Sequence, residues 1–353
     1  MRIPRLGIDL YSLRSQGWSA FEFLDYAAQR QVEIVHFSEP RFLGSLEASH
    51  LRRLREYARR LGLSIEVGMG SICPASKRFT AADGTPEEQM ARMFEVAKLL
   101  GSPILRAYVG SWEDRLDGEN ASSGGPGRTA PIEQRIEETV RVLRVIRGRA
   151  LDSGIRIAME NHAGDLQARE MKMLIEEAGT DFVGCCLDSG NPVWAIEDPH
   201  LTLETLAPYV LTTHVRDSAV WEESEGIAVQ WTALGEGTIG FGRWLARFAQ
   251  LCPGKPLSLE IITSHPPRLH RCFETAFWTA YPSMPAWEFA RFVKLAREGK
   301  PPAPAPQASG SPGSQDHQLG KAAQERIALE NSLAWCRRHL GASGQGRGNA
   351  ELS

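Results

Sequence analysis

No apolar run in the sequence approaches the roughly 18–20 residues that a membrane-spanning helix needs, which excludes a helical membrane span. Charge of one sign is also missing: 43 acids oppose 40 bases for a net charge of −3, so there is no basic field to hold nucleic acid or an anionic membrane. Cysteine is sparse. The six, at positions 73, 185, 186, 252, 272 and 336, show neither the Cys-x-x-Cys spacing of a zinc ribbon nor the density of a disulfide scaffold, and are expected to be reduced and buried. Met1-Arg2-Ile3-Pro4-Arg5 runs straight into a strand-like segment without an apolar leader core, so a cytoplasmic location is expected. What remains, 42% hydrophobic and 24% charged residues in 353, is enough for a large core and points to a small, neutral or weakly charged substrate.

Short apolar runs alternate with longer amphipathic ones eight times. The expected strands are Leu6–Leu10, Glu33–Ser38, Leu63–Gly68, Ile104–Val109, Ile155–Asn161, Val183–Asp188, Val210–Val215 and Leu257–Ile262. Helix starts fall between them: Thr85-Pro86-Glu87-Glu88 sets a cap, a first-turn proline and a capping-box glutamate in order, and Ser19 with Glu22 repeats the signal. Strict alternation demands parallel pairing, and a closed (β/α)8 TIM barrel leaves no exposed edge, with an open doubly wound sheet as the alternative. The barrel is expected over residues 1–299, a Pro/Gly/Ser-rich linker over 300–320 and a C-terminal helix with a disordered tail over 321–353. Ile327, Leu329, Leu333, Trp335 and Leu340 suit a helix that docks on its own barrel or on a neighbour, the latter making a homo-oligomer. Ser111–Ala130, rich in Ser and Gly, follows the fourth strand and reads as an active-site lid or an inert insertion.

Four donors stand at the ends of the last four strands: Glu160, Asp188, His214 and Glu260, separated by 28, 26 and 46 residues, the last interval lengthened by a loop through Trp221–Phe241. Alone, an acid at a strand end more often caps a helix or pairs with an arginine. Together they change the reading, because carboxylates closing apolar strands such as Ile155-Arg-Ile-Ala-Met-Glu160 are costly to bury unless a cation meets them. Three carboxylates and an imidazole make a hard O/N site for one divalent ion, Mn²⁺ first, with Mg²⁺, Co²⁺ or Zn²⁺ as alternatives.

Glu160-Asn-His162, Asp188-x-Gly190-Asn191, His214-x-Arg216-Asp217, Gly235-Glu-Gly-Thr-Ile-Gly-Phe241 and Leu259-Glu260-Ile261 together resemble the xylose-isomerase-like barrel superfamily over roughly residues 5–298. That superfamily holds sugar isomerases, ketose 3-epimerases, inosose dehydratases and endonuclease IV. The resemblance implies that the four donors are metal ligands, with Glu160 and Glu260 also acid and base on opposite faces of a sugar. Asn191 departs from the pattern, standing where the epimerases place a histidine. An amide holds a hydroxyl but cannot exchange a proton, which speaks against ordinary 3-epimerisation, and the same change removes a ligand of the endonuclease's metal site.

Arg216, two residues after His214, shares its barrel-facing side and resembles the arginine that contacts substrate oxygens, unless it pairs with Asp217 or Glu260. His162 points with Glu160 and is a candidate proton-transfer group. His36, Glu66, Arg106, Tyr108, Trp112 and Glu236 are further candidates for the pocket, Trp112 as a stacking surface for a sugar ring. Three functions fit: a sugar isomerase or epimerase acting by proton abstraction beside a carbonyl; a lyase or deglycosidase eliminating from 3-oxo-glycosides, or an inosose-type dehydratase; and a non-catalytic, metal-stabilised sugar-binding protein. The substrate is a small carbohydrate in each case, and a partner subunit could complete the pocket.

Overall fold

The computed structural model describes residues 4–116, 131–303 and 314–345. Seven strands come first, β1 (Leu6–Asp9), β2 (Ile34–Phe37), β3 (Ser64–Ser71), β4 (Ile104–Tyr108), β5 (Arg156–Glu160), β6 (Val183–Asp188) and β7 (Val210–His214). A hairpin of β8 (Asp217–Glu223) and β9 (Gly226–Thr232) precedes β10 (Leu257–Leu259) and β11 (Arg268–His270). The helices are α1 (Ala20–Gln29), α2 (Ala48–Arg60), α3 (Pro86–Leu100), α4 (Glu113–Leu116), α5 (Pro131–Ser153), α6 (Ala168–Ala178), α7 (Pro199–Leu206), α8 (Phe241–Leu251), α9 (Ala286–Glu298) and α10 (Gln315–Gln345).

Parallel pairing runs β10-β1-β2-β3-β4-β5-β6-β7, so β10 is the eighth stave of a TIM barrel. Closure between β7 and β10 uses a bridge at Val215 and Leu259, where Val215 N–H donates to Ser258 O at 2.8 Å and Glu260 N–H to Val215 O at 3.0 Å. The Thr213 hydroxyl extends this seam, accepting from Ser258 N at 3.0 Å and donating to Pro256 O at 3.2 Å. Both expected capping boxes form: Ser19 with Glu22 opens α1, and Thr85 with Glu88 opens α3 behind Pro86. Helices cover the staves through apolar stripes, as where Phe241, Trp244, Leu245 and Phe248 of α8 are buried at one-turn spacing.

Two elements differ from the sequence reading. Trp221–Phe241, read as a loop, contains most of the β8–β9 hairpin, and β11 joins it as a three-stranded antiparallel sheet. The last helix begins at Gln315, inside the stretch expected to be linker, because Ser314 caps it: its Oγ accepts from His317 N at 3.2 Å. This helix docks on its own barrel. Leu329, Leu333, Cys336 and Leu340 are buried while Ile327 is exposed, and Trp335 packs on Phe241 with ring centroids 5.4 Å apart. Glu325 accepts from Ser15 N at 3.0 Å and Ser15 Oγ at 2.8 Å, just after β1. Residues 117–130 of the expected lid, 304–313 of the linker and 346–353 of the tail lie outside the described residues. All six cysteines are buried and free of disulfides, and among the described residues no helix is long and apolar enough to cross a membrane.

Candidate active site

Parallel register brings the strand-end donors to one level. Asp188 lies opposite His214, and Glu160 opposite Cys186 on one side and Tyr108 on the other. Glu260 is levelled with them by its backbone bond to Val215. All four converge at the C-terminal end of the barrel. Single oxygens of Glu160, Asp188 and Glu260 lie within 4.8 Å of one another. His214 Nδ1 stands 3.0 Å from Glu160 Oε2 and 3.3 Å from Glu260 Oε2.

Two guanidiniums meet these carboxylates. Arg106 Nε donates to Glu160, while Arg216 donates from Nε to Asp188 Oδ2 at 2.9 Å and from Nη2 to both Asp188 and Glu260. The cations that meet these buried acids therefore include arginines, which already offset part of the charge without a metal ion. Burial pushes the Glu160 carboxyl up, but the charges of Arg106 and His214 outweigh it and hold it well below the usual range. For Glu260 burial is likewise outweighed, by Arg216 and by the neighbouring His214, leaving its pKa at about 2. At Asp188 burial wins over Arg216, and the pKa rises to about 7.

Three carboxylates and one imidazole nonetheless fit a divalent ion. At bond lengths of roughly 2.1 Å, donors around a six-coordinate ion stand about 3 to 4 Å apart; His214 Nδ1 meets that spacing at 3.0 and 3.3 Å from the two glutamates. His214 Nδ1 is buried, has no hydrogen-bond partner and faces two carboxylates, as a metal-ligating nitrogen does. An ion bound to Asp188 and Glu260 would share them with Arg216 or displace its Nη2. Behind His214, Nε2 meets His36 Nδ1 at 2.8 Å and Asp9 Oδ2 at 3.4 Å, so the ring is fixed from its far side. Cys186 is also near Glu160 and His214, but burial holds its thiol far above the usual range and hence protonated.

A cavity of about 390 Å³ opens above this cluster. Of the four donors, Glu260 lines it; beside Glu260 stand Arg106, Arg216, His162 and Asn191. Arg14, Arg78 and Lys321 add cations at its wall, Lys321 coming from α10. His162 stacks on Tyr108 at 3.9 Å, and its Nδ1–H donates to Gly110 O at 2.7 Å, leaving Nε2 as acceptor. Burial lowers its pKa to about 4, so the ring is neutral. Asn191 Nδ2 donates to Asn161 O at 2.9 Å, and its Oδ1 is buried without a partner.

Other sequence candidates lie elsewhere. His36 is opposite Asp9 and Glu66 in the sheet, hence one layer below the cavity, against His214. Trp112 lines a different cavity, and Glu236 is exposed on the turn after β9. Sequence reasoning missed Asp9, although Ile8-Asp9-Leu10 has the same acid-ending strand pattern as Glu160. It also missed Trp231 of the hairpin, whose ring carries the Arg216 guanidinium 4.8 Å from its centroid.

The profile of the family described as xylose isomerase-like TIM barrel matches residues 13–275. The chain is 24% identical over 239 residues, 67% of its length, to the uncharacterized protein YihM of Escherichia coli K12, spanning 64% of that relative, less than two thirds. It is 22% identical over 245 residues, 68% of its length, to the 3-oxo-isoapionate decarboxylase of Pectobacterium atrosepticum, covering 72% of it. In fold it is similar to D-psicose 3-epimerase from Clostridium cellulolyticum H10, with a TM-score of 0.56 and 13% identity over 95% of this chain and 99% of that one.

Proposed function

Because this chain belongs to the xylose isomerase-like TIM barrel family, we propose that it is a metal-dependent sugar isomerase or epimerase that removes a proton from the carbon beside a carbonyl. The observation that carries the reading is the position of Glu260: it is the carboxylate of the donor cluster that lines the cavity, with a neutral imidazole, His162, in the same cavity. Glu160, Asp188, His214 and Glu260 would hold the ion, with Mn²⁺ the first choice for this donor set. When bound, a divalent ion supplies positive charge that stabilises the negative charge developing on the substrate oxygens.

Glu260 is ionised at neutral pH and takes the proton. Arg216, once its guanidinium turns from Glu260 to a substrate oxygen, releases that carboxylate toward its ordinary basicity. His162 Nε2 accepts from a hydroxyl, and Asn191 holds a second hydroxyl without moving its proton. Tyr108 and Trp231 give the cavity flat walls of the kind that pack against sugar rings.

A second reading is a lyase that starts with the same proton removal and then expels a group from a 3-oxo sugar, or a dehydratase of that type. It is favoured by the unlike pair in the cavity. The Glu260 carboxylate and the neutral His162 imidazole, with an amide at 191, suit removal on one side and protonation of a leaving group better than symmetric return of a proton.

Incubating the Mn²⁺-loaded protein with D-fructose, D-psicose and a 3-oxo-glucoside in deuterated water, and following C–H exchange and products by NMR, tests both. Glu260→Gln is expected to lose roughly 10²–10⁴-fold of the exchange rate. Wild-type exchange in that variant would sink the assignment, and an eliminated product would replace isomerisation with the lyase reading.

A further inference from the structure

A second cavity, of about 370 Å³, lies beside α4 and β11 and shares no lining residue with the first. Trp112, Phe277 and Tyr281 give it aromatic walls, and Arg115, Arg268 and Arg271 bring guanidiniums to it. Two of the three are spent. Arg115 donates to Gly164 O at 3.2 Å and Ala280 O at 3.1 Å and pairs with Glu170. Arg271 pairs with Glu225 at 2.7 Å and Glu274 at 3.2 Å.

Arg268 differs. Its guanidinium carbon lies over the Trp112 ring, 3.5 Å from the centroid, and no acceptor among the described residues meets the group; Nε and Nη1 are buried without a partner. Buried donors left without acceptors are costly, and more so when charged. Burial lowers the Arg268 pKa to about 10, which keeps the group charged at neutral pH. Stacking on an indole fixes the plane of the fork, so less side-chain freedom is lost when an anion arrives.

We propose that this cavity is a binding site for a small carboxylic acid with a flat apolar body. The carboxylate meets the Arg268 guanidinium, and the body lies against Phe277 and Tyr281. The apolar walls decide for an organic acid over free phosphate, because an inorganic ion would leave them facing water. The site is independent of the reaction proposed above. Trp112 N–H nevertheless donates to Ala163 O at 3.0 Å, and Ala163 lines the catalytic cavity, so the two are joined by one backbone bond.

Benzoate and inorganic phosphate are the probes, titrated separately into the full-length protein while tryptophan fluorescence and the melting temperature are followed. Benzoate is expected to bind saturably, to alter the emission and to raise the melting temperature. Arg268→Gln is expected to lose at least tenfold in benzoate affinity and most of the thermal shift, and Arg268→Lys, which keeps charge but not the planar fork, to fall between. Trp112→Phe should keep binding and lose the emission change. Absence of saturable benzoate binding, or equal binding by Arg268→Gln with an unchanged fold by circular dichroism, would overturn the site. Tighter binding of phosphate than of benzoate would overturn the choice of an apolar acid.

Discussion

Replacing Glu325 by Ala should loosen α10 from the barrel without unfolding the barrel. Glu325 is nearly inaccessible and accepts from Ser15 N at 3.0 Å and Ser15 Oγ at 2.8 Å, with Arg14 Nη1 3.5 Å away. Two hydrogen bonds to a charged acceptor contribute about 1.5–3 kcal/mol each at most, and the stripped Ser15 N–H can find water when the helix lifts, so about 3 kcal/mol is the reasonable total. That is roughly a hundredfold more frequent opening. Leu329, Leu333, Cys336 and Leu340 keep the helix docked most of the time, since each buried aliphatic side chain contributes about 1.5–3 kcal/mol. Native-state hydrogen exchange reads this directly. Amides of α10 should lose about two decades of protection while those of β1 to β7 keep theirs. Glu325→Gln, which retains one acceptor oxygen, should lose about half as much in free energy. Unchanged protection in α10, or an equal loss across the barrel strands, would refute the view of α10 as a separately opening element held by this carboxylate.

Arg216→Met strips Asp188 and Glu260 of their guanidinium. The metal-free variant should be less stable by about 3–5 kcal/mol, and Mn²⁺ should raise its melting temperature more than it raises that of the wild type. An equal Mn²⁺ shift in both would show that the ion and the arginine do not compete for these carboxylates. Asp9→Asn weakens the outer support of His214 Nε2 and is expected to lower Mn²⁺ affinity 10- to 100-fold by calorimetry; wild-type affinity would make Asp9 a bystander. His270 is buried among Phe277 and Phe292, and its pKa is lowered to about 3 from an ordinary 6.5 by burial. The unfolded chain therefore binds the extra proton between those values, and stability falls as pH drops, by up to about 1.4 kcal/mol per unit. Urea midpoints at pH 6.5 and 4.5 should fall further apart in the wild type than in His270→Gln, and equal gaps would contradict it.

The barrel was legible because its signals are local. Short β-branched runs and capping pairs such as Thr85 with Glu88 depend on neighbours in sequence, and the register of parallel strands then carries Glu160, Asp188 and His214 to one level without further information. Partners that come from across the barrel were not legible. Arg216 was expected to contact a substrate oxygen or to pair with Asp217 or Glu260, and it does pair with Glu260 and also with Asp188, whereas nothing in the segment around Arg106, three strands away, says that it turns onto Glu160. His36 sits where its strand points inward, but only the pairing of β2 with β1 and β3 sets its depth, level with Asp9 and Glu66. The hairpin could have been found: Val220 pairs with Val229 and Trp221 with Ala228 across the turn at Ser224-Glu225, apolar runs flanking a turn that a loop assignment overrode. Asp9 closes its strand as Glu160 does, but its approach to His214 from the opposite end of the sequence is set only when the barrel closes.

The seam between β7 and β10 bears on how this centre behaves. Glu160 stands on a stave held by unbroken ladders on both sides and Asp188 on one whose pairing with β7 shifts register between Cys185 and Cys186, whereas Glu260 follows a three-residue stave that pairs with β1 on one side and is joined to β7 by one bridge and a threonine hydroxyl on the other. If an ion is held there as proposed, the least restrained stave yields first. The compliance of the cluster is then concentrated at the one of the four donors that also lines the cavity.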